Sequence, residues 1–564
     1  MSNNIPTPLP IGKSFFDKII ESGCYYVDKT LLVKELLDRQ AEVILCTRPR
    51  RFGKTINQTM LKCFFEDTAD LGSKNTRILF SGLKIESAGD SYLDQQGKYP
   101  VIFLNFKDSK RNTFEDSYSQ LKDEIISEFK RHNYVFLKIS DINDKKLYEK
   151  LCSGDGSYIE YSNALKFLCR CLEEYHHKKV IILIDEYDVP LENSWVRNFY
   201  DDMINFMRPL LTSALKDNPY LQLSVMTGCL RIAKESIFTG LNNLDVISIL
   251  STHYEDFFGF TQYEVDMMMS HYGLECKTDI MKKWYDGYLF GETEVYNSWS
   301  IINYVRDCVY NIDSLPRPYW ANTSSNDIIR NLINKADDET KAEIETLMAD
   351  GTISKKIHED ISYDEAYRNY DSLWSFLFFT GYLKKTGEKL VGLEKIIDLS
   401  IPNLEIKYIY MNKIQEWFND RMAERNHNIF FNAILNGDAE VFNRELSAIL
   451  AESISYMDSA ENFYHEFMVG ILSGYKGYRV KSNRESGQGR SDLVMYAVNA
   501  MDGKAIIFEI KQAKNVNDLS IMCDEALKQI EENNYTAYWD GEGFTNILKY
   551  GISFYRKRCL VKLG

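Results

Sequence analysis

The chain has 564 residues, with 67 Lys and Arg against 82 Asp and Glu for a net charge of −15, and 45% of its residues are hydrophobic. That length implies two to four domains, the balance is that of a soluble globular protein, and the acidity argues against nucleic-acid binding by the chain taken as a whole. No apolar run reaches the roughly 20 residues that span a bilayer, and the opening "MSNNIPTPLPIGKSFF" lacks the segments of a signal peptide, so a cytoplasmic location without membrane contact is expected.

Over the first 250 residues, short and nearly wholly apolar runs alternate with helical stretches. The runs are "EVILC" (42–46), "VIFLNF" (101–106), "VIILID" (180–185), "LSVMT" (223–227) and "DVISI" (245–249). Such runs suit parallel strands covered on both faces, and their alternation with helices predicts an α/β sheet whose ligands bind beyond the carboxyl ends of the strands. From about 251 to 440 the pattern is mostly helical, with one β-like piece at "DLSIPNL" (398–404). From 461 a compact α/β module is expected: a helix, the strands "DLVMYAV" and "AIIFEIK", and the helix "DEALKQIEEN". The domains are therefore read as 1–250, 251–440 and 441–564.

The eleven cysteines are scattered with no C-x-x-C pair, and the eight histidines show no H-E-x-x-H spacing, so buried reduced thiols are expected rather than disulfides or zinc. The charge is uneven. Residues 461–564 carry 14 Lys and Arg against 13 Asp and Glu, a net of +1, which leaves −16 for the rest. The C-terminal module is the part least repelled by a polyanion.

"RPRRFGKT" (48–55) ends like the phosphate loop G-x-x-x-x-G-K-[ST] but has Arg48 at the first glycine. Between a strand and a helix, this loop would offer backbone N–H groups to phosphate. Gly53 would allow close approach, Lys54 would reach the β- and γ-phosphates of ATP, and Thr55 would hold Mg2+. Arg48, Arg50, Arg51 and Phe52 complete the candidate loop, and at least one arginine is expected to supply charge to the phosphates. "KKVIILIDEYD" ends a strand at Asp185, placed for Mg2+, and at Glu186, placed to polarise an attacking water. The strand "LSVMT" ends at Thr227, a sensor-like polar residue. Arg231 and Lys234 follow, where a cation can meet phosphate or a neighbouring subunit of a homo-oligomer.

The strand between the two motifs resembles the layout of additional-strand ATPases, the AAA-like group included. "YYVDKT" (25–30), "RPRRFGKT", "IDEYDVP" and "TGCLRIAKESIFTGLNNL" resemble the AAA-ATPase-like domain of a bacterial family whose members carry a PD-(D/E)xK nuclease-like domain at the C-terminus. The resemblance covers residues 8 to about 300 and 460 to the end, with looser matches at "WYDGY", "YNSWSI" and "FLFFTGYL". It implies an ATPase core, and arginine at the first-glycine position belongs to that family's pattern.

In "GRSDLVMYAVNAMDGKAIIFEIKQAK" a hairpin turning at 499–502 sets Asp492 across from Glu509, with Lys511 on the same face. Two carboxylates and a backbone carbonyl, that of Ile510, suit Mg2+. A metal there lowers the pKa of a bound water, and the lysine positions that water or offsets developing charge. The spacing D-x16-E-x-K resembles the PD-(D/E)xK core. That superfamily implies an upstream helical acid, matched by Glu466, and a downstream helical residue, matched by Gln529; Arg490 is a candidate phosphate contact and His465 a structural residue. The combination predicts an ATP-binding and ATP-hydrolysing protein with a Mg2+-dependent nuclease domain, for which the superfamily resemblance implies DNA as substrate, in DNA processing or defence against foreign DNA. The alternative is a nucleotide-driven switch or scaffold whose C-terminal module only binds nucleic acid or a partner.

Overall fold

The structure, a computed structural model, describes residues 7–564 except 73, 232–236, 239–240, 323–326, 361–369, 393, 425–427, 453–460, 474, 476, 483–491 and 500–502. The chain divides into two compact units: residues 1–328 with 352–409, and residues 329–351 with 410–564.

In the first unit, β1 (Val43–Thr47), β2 (Val101–Asn105), β3 (Val180–Asp185), β4 (Leu221–Gly228) and β5 (Leu244–Ile247) form one parallel sheet in the order β2-β3-β4-β1-β5. They coincide with the five expected runs. β1 and β3 are buried along their whole length, as an all-apolar strand inside such a sheet must be, while edge strand β5 is half-exposed. β4 lies between β1 and β3, and the register levels their ends: Asn105 pairs with Asp185, Ile184 with Met226, and Cys46 with Thr227. Four strands thus deliver their last residues to one rim.

Helices predominate between 251 and 440, as expected, with two small antiparallel sheets among them. β6 (Phe260–Thr261), β7 (Tyr288–Phe290) and β8 (Thr293–Tyr296) form one, in the order β6-β8-β7; β9 (Ile353–Lys356), β10 (Lys384–Val391) and β11 (Glu394–Ser400) form the other, in the order β10-β11-β9. The β-like piece at 398–404 catches only the end of β11. β10, "KKTGEKLV", is largely solvated and shows no apolar alternation for a strand pattern to register.

The second unit is built on β12 (Tyr478–Ser482), β13 (Leu493–Ala497), β14 (Ala505–Gln512), β15 (Ile547–Tyr555) and β16 (Arg558–Leu563), in that order. Only β14 and β15 pair in parallel. The sequence reading expected two of these five strands. In the hairpin Leu493 faces Phe508 and Val494 faces Ile507, the register expected from the turn. Phe442 of the helix Ala439–Glu452 packs on Tyr550 at 5.1 Å, and Tyr464 of the helix Glu461–Leu472 stacks on Phe554 at 4.4 Å. Among the described residues no helix is long and apolar enough to cross a membrane.

Candidate functional site

The rim of the parallel sheet centres on Asp185, which is fully buried. Thr55 Oγ1 donates to its Oδ2 at 2.6 Å, Thr227 Oγ1 to its Oδ1 at 2.6 Å, and Asn105 Nδ2 to its Oδ2 at 2.9 Å. Burial, and then the nearby Glu186 charge, push the Asp185 carboxyl up to about 6. Sequence reasoning named Thr55, Asp185 and Thr227 and missed Asn105, although its place at the polar end of an apolar run was the available signal.

Gly53 enters the helix Lys54–Phe65 in the left-handed region, φ 83°, which glycine adopts without strain. Lys54 is 3% exposed, and its Nζ donates to the carbonyls of Arg48 and Pro49, each at 3.0 Å, and lies 3.6 Å from Cys229 Sγ. Burial pulls this ammonium down, but the Cys229 thiol, Glu186, Asp188 and Asp185 hold it above its ordinary value. Glu186 takes a left-handed backbone, φ 55°, a conformation costly for a residue with a Cβ. Asp188 Oδ2 accepts from the amides of Cys229 at 2.7 Å and Leu230 at 3.1 Å. Burial and Glu186 push its carboxyl up to about 6. The acid strand β3 is thereby tied to the segment that follows β4, and Asp188 carried no motif signal.

The loop side chains divide. Arg48 is fully buried, donating to the carbonyls of Thr47 at 2.9 Å, Ile247 at 3.0 Å and Tyr254 at 3.3 Å, between the rings of Phe258 and Phe290. Its guanidinium is spent inside the protein and is not brought to the rim. Arg50 donates twice to Glu192, at 2.8 and 2.5 Å. Phe52 is fully buried against Tyr288 and Phe290. Arg51 alone is exposed, over the Trp299 ring at 4.5 Å.

The loop backbone is held by segments far along the chain. Phe52 O accepts from Gly259 N at 3.0 Å, Arg51 O from Ser298 Oγ at 3.0 Å, and Arg50 O from Trp320 Nε1 at 3.3 Å. Glu405, fully buried, accepts from Trp320 N at 2.8 Å and from Ser300 Oγ at 2.8 Å, and burial pushes its carboxyl up to about 7. Arg231 Nη1 meets Asp360 at 2.9 Å; Lys234 lies outside the described residues.

In the second unit the hairpin brings Asp492 and Glu509 together. Asp492 N donates to Glu509 Oε2 at 3.3 Å, and Asp492 Oδ2 accepts from Ile510 N at 2.9 Å. Because a strand residue directs its N–H and C=O to the same neighbour, the Ile510 carbonyl opens toward the Asp492 side. Lys511 Nζ donates to Gln529 Oε1 at 2.6 Å and to Glu509 Oε1 at 3.4 Å, and Gln529 Nε2 donates to Glu509 Oε1. Glu509 is 1% exposed; burial, reinforced by Asp492 and opposed by Lys511, pushes its carboxyl up to about 7. His465 Nε2 lies 3.0 Å from the Asp492 carbonyl, bracing the acid's backbone. Glu466 sits on the helix Glu461–Leu472, but its side chain lies outside the described residues, as does Arg490. Among the described residues no three His, Cys, Asp or Glu side chains group as a metal site.

Residues 10–238 match the family model described as Predicted AAA-ATPase, and residues 459–563 match that of the PD-(D/E)XK nuclease superfamily. An "Uncharacterized protein in vnfD 5'region" of Azotobacter chroococcum mcd 1 is 26% identical over 403 residues, covering 71% of this chain and 68% of that protein. The two matches identify a predicted AAA-ATPase-like domain at residues 10–238 and a PD-(D/E)XK nuclease superfamily domain at residues 459–563.

Proposed function

We propose that the chain binds and hydrolyses ATP with Mg2+ at the rim of the parallel sheet, and that its C-terminal domain cleaves phosphodiester bonds of DNA with Mg2+. The observation that carries the reading is the convergence of Thr55, Thr227 and Asn105 on Asp185 beside a buried Lys54. Hydroxyl and carboxylate oxygens are the donors Mg2+ takes, so Thr55 and Asp185 fit the ion. Lys54 holds the phosphates, Glu186 orients the attacking water, and Thr227 registers the bound state through Asp185. Arg51, exposed at the loop, is the arginine available to the phosphates, and Arg231 joins it when it leaves Asp360. Arg48, Arg50 and Phe52 shape the loop instead.

In the second unit Asp492, Glu509 and the Ile510 carbonyl fit Mg2+ by the same donor chemistry, with Glu466 completing the set. The ion supplies charge neutralisation at the scissile phosphate. Lys511, oriented by Gln529, positions the attacking water. The domains are read as an ATPase at 1–250, a lid and linker at 251–440 and a nuclease at 441–564. The setting is a cytoplasmic homo-oligomer engaged in DNA processing or defence against foreign DNA.

One observation favours the second reading, a nucleotide-driven switch. Lys54 bonds its own loop's carbonyls, so nucleotide entry must exchange those bonds and gives the loop two forms. ATPase and DNA-cleavage assays in Mg2+ on Lys54→Ala and Lys511→Ala separate the readings. The nuclease reading expects the first to abolish ATP turnover and the second to abolish cutting. Intact protein that hydrolyses ATP but cuts no DNA, with or without ATP, leaves the switch.

A further inference from the structure

We infer that Arg479, Lys481 and Tyr538 form a track on which a nucleic-acid strand, unpaired next to the cleavage position, enters the Asp492–Glu509–Lys511 cluster. The inference rests on the nuclease function proposed above and assigns its substrate class. It starts from the register of edge strand β12. Lys481 pairs with Val494 and Arg479 with Tyr496, while Val494 pairs with Ile507. Directly paired residues share a face, and alternate residues along a strand share it too. Arg479 and Lys481 therefore stand on the face that carries Asp492, Glu509 and Lys511. Both are exposed.

Spacing along that face suits a polyanion. Lys481 pairs two residues beyond Asp492, about 7 Å along the strand, and Arg479 lies about 7 Å further. Two cations thus follow the carboxylate pair in single file, within reach of successive phosphates on one strand. They belong to the module that is nearly neutral in a chain of net charge −15.

The aromatic element gives the strand its unpaired character. Tyr538 is 56% exposed, with Lys481 Nζ 5.3 Å from its ring centroid. Beneath it Trp539, 6% exposed, meets Tyr538 edge-on at 5.2 Å and packs on Tyr496 at 4.8 Å. Tyr496 belongs to the same face of β13. A ring that is exposed on top and braced from below on the sheet is a stacking platform, and a base presents a π-face to it only when unpaired. Entry of the strand is an exchange: the base takes the seat over Tyr538 and the Lys481 ammonium moves to the adjoining phosphate.

The test uses the full chain carrying Lys511→Ala, with Ca2+ in place of Mg2+, and fluorescence anisotropy of a mixed-sequence single-stranded oligonucleotide and of the blunt duplex of the same sequence. Tyr538→Ala is expected to weaken single-strand binding roughly tenfold, with the duplex little affected and Tyr538→Phe restoring the affinity. Lys481→Ala and Arg479→Ala are each expected to reduce the slope of log affinity against log salt by about 0.7. All three side chains are exposed, so thermal midpoints should stay at the parent value. Binding of both probes that is indifferent to all three substitutions overturns the track and leaves the nuclease reading intact. Equal loss on both probes overturns the unpaired-strand assignment. Binding of neither probe overturns the nucleic-acid reading itself, and the track with it.

Discussion

Thr55 and Asp185 stand 130 residues apart in the chain and meet across 2.6 Å. The hydroxyl comes from the first turn of a helix and the carboxylate from the end of a strand two places away in the sheet. On the proposed function, their meeting makes ion binding at this rim a titration. Burial holds the Asp185 carboxyl at about 6, above its ordinary 3.8. A raised folded-state value means that the group's contribution to stability is complete below about 4 and is lost as pH rises through about 6. Cation binding runs the other way, because it needs the ionised form. Magnesium–nucleotide affinity should therefore climb between about pH 5 and about pH 7, with proton release on binding. Calorimetry in buffers of different protonation enthalpy reads both; an affinity flat across that window contradicts the assignment.

Restoring the missing glycine should harm the protein. Arg48→Gly removes a buried guanidinium from three carbonyls and leaves a void between Phe258 and Phe290. Unpaired buried acceptors and lost packing together should cost about 3 kcal/mol. Arg51→Ala should leave the unfolding midpoint nearly unchanged and weaken nucleotide binding. Urea unfolding and nucleotide titration of the two variants check the pair of outcomes.

Gly228 has no room for a side chain. A Cβ there would lie 2.6 Å from the Tyr187 ring and 2.8 Å from Asp188 Oδ1. Gly228→Ala should destabilise by about 1–3 kcal/mol and, by displacing Asp188 from the Cys229 and Leu230 amides, weaken nucleotide binding as well. Gly541→Ala, with nothing within 4 Å of the added carbon, is the control and should move the urea midpoint little.

The second cluster should titrate through Glu509. Its carboxyl is held at about 7 by burial and Asp492, against the opposing pull of Lys511. The proton competes with the cation, so Mg2+-dependent cleavage should rise as pH passes through about 7. Removing Lys511 takes away a charge that favours the ionised form, so in Lys511→Ala the Mg2+ affinity should require a still higher pH. Mg2+ titration at several pH values, followed by calorimetry in the variant, tests the direction.

Glu405, which holds Trp320 behind the phosphate loop, gives a stability test. Its raised carboxyl, at about 7, contributes fully below about 4.5, and that contribution is lost as pH rises through about 7. The advantage of the parent over Glu405→Gln should shrink between about pH 5 and about pH 8 in thermal unfolding.

The five parallel strands were legible because burial on both faces writes a continuous apolar run. The Asp492–Glu509 pairing was legible because a short hairpin fixes register. β10 was not, since it is largely solvated and held by the hairpin ladder, whereas its partner β11 buries Ile397 and Leu399 and was caught only at its end. The fate of Arg48 was not legible either. Its partners Ile247 and Tyr254 lie 199 and 206 residues away, and no local pattern reports that distance. Asn105 and Asp188 were visible as polar residues but acquired meaning only from the neighbouring strand.

The hydrogen bonds from Gly259, Ser298 and Trp320 to the loop carbonyls have a consequence for the order in which the protein comes to life. Every residue of the nucleotide rim has been synthesised by position 231, yet the groups that hold the loop in shape emerge only afterwards. At about 5–20 residues per second, the nascent chain carries the chemistry for several seconds without the geometry. On the proposed function, competence to bind nucleotide arrives only after residue 320 is made, and a fragment ending at residue 238 should hold the motifs without the grip.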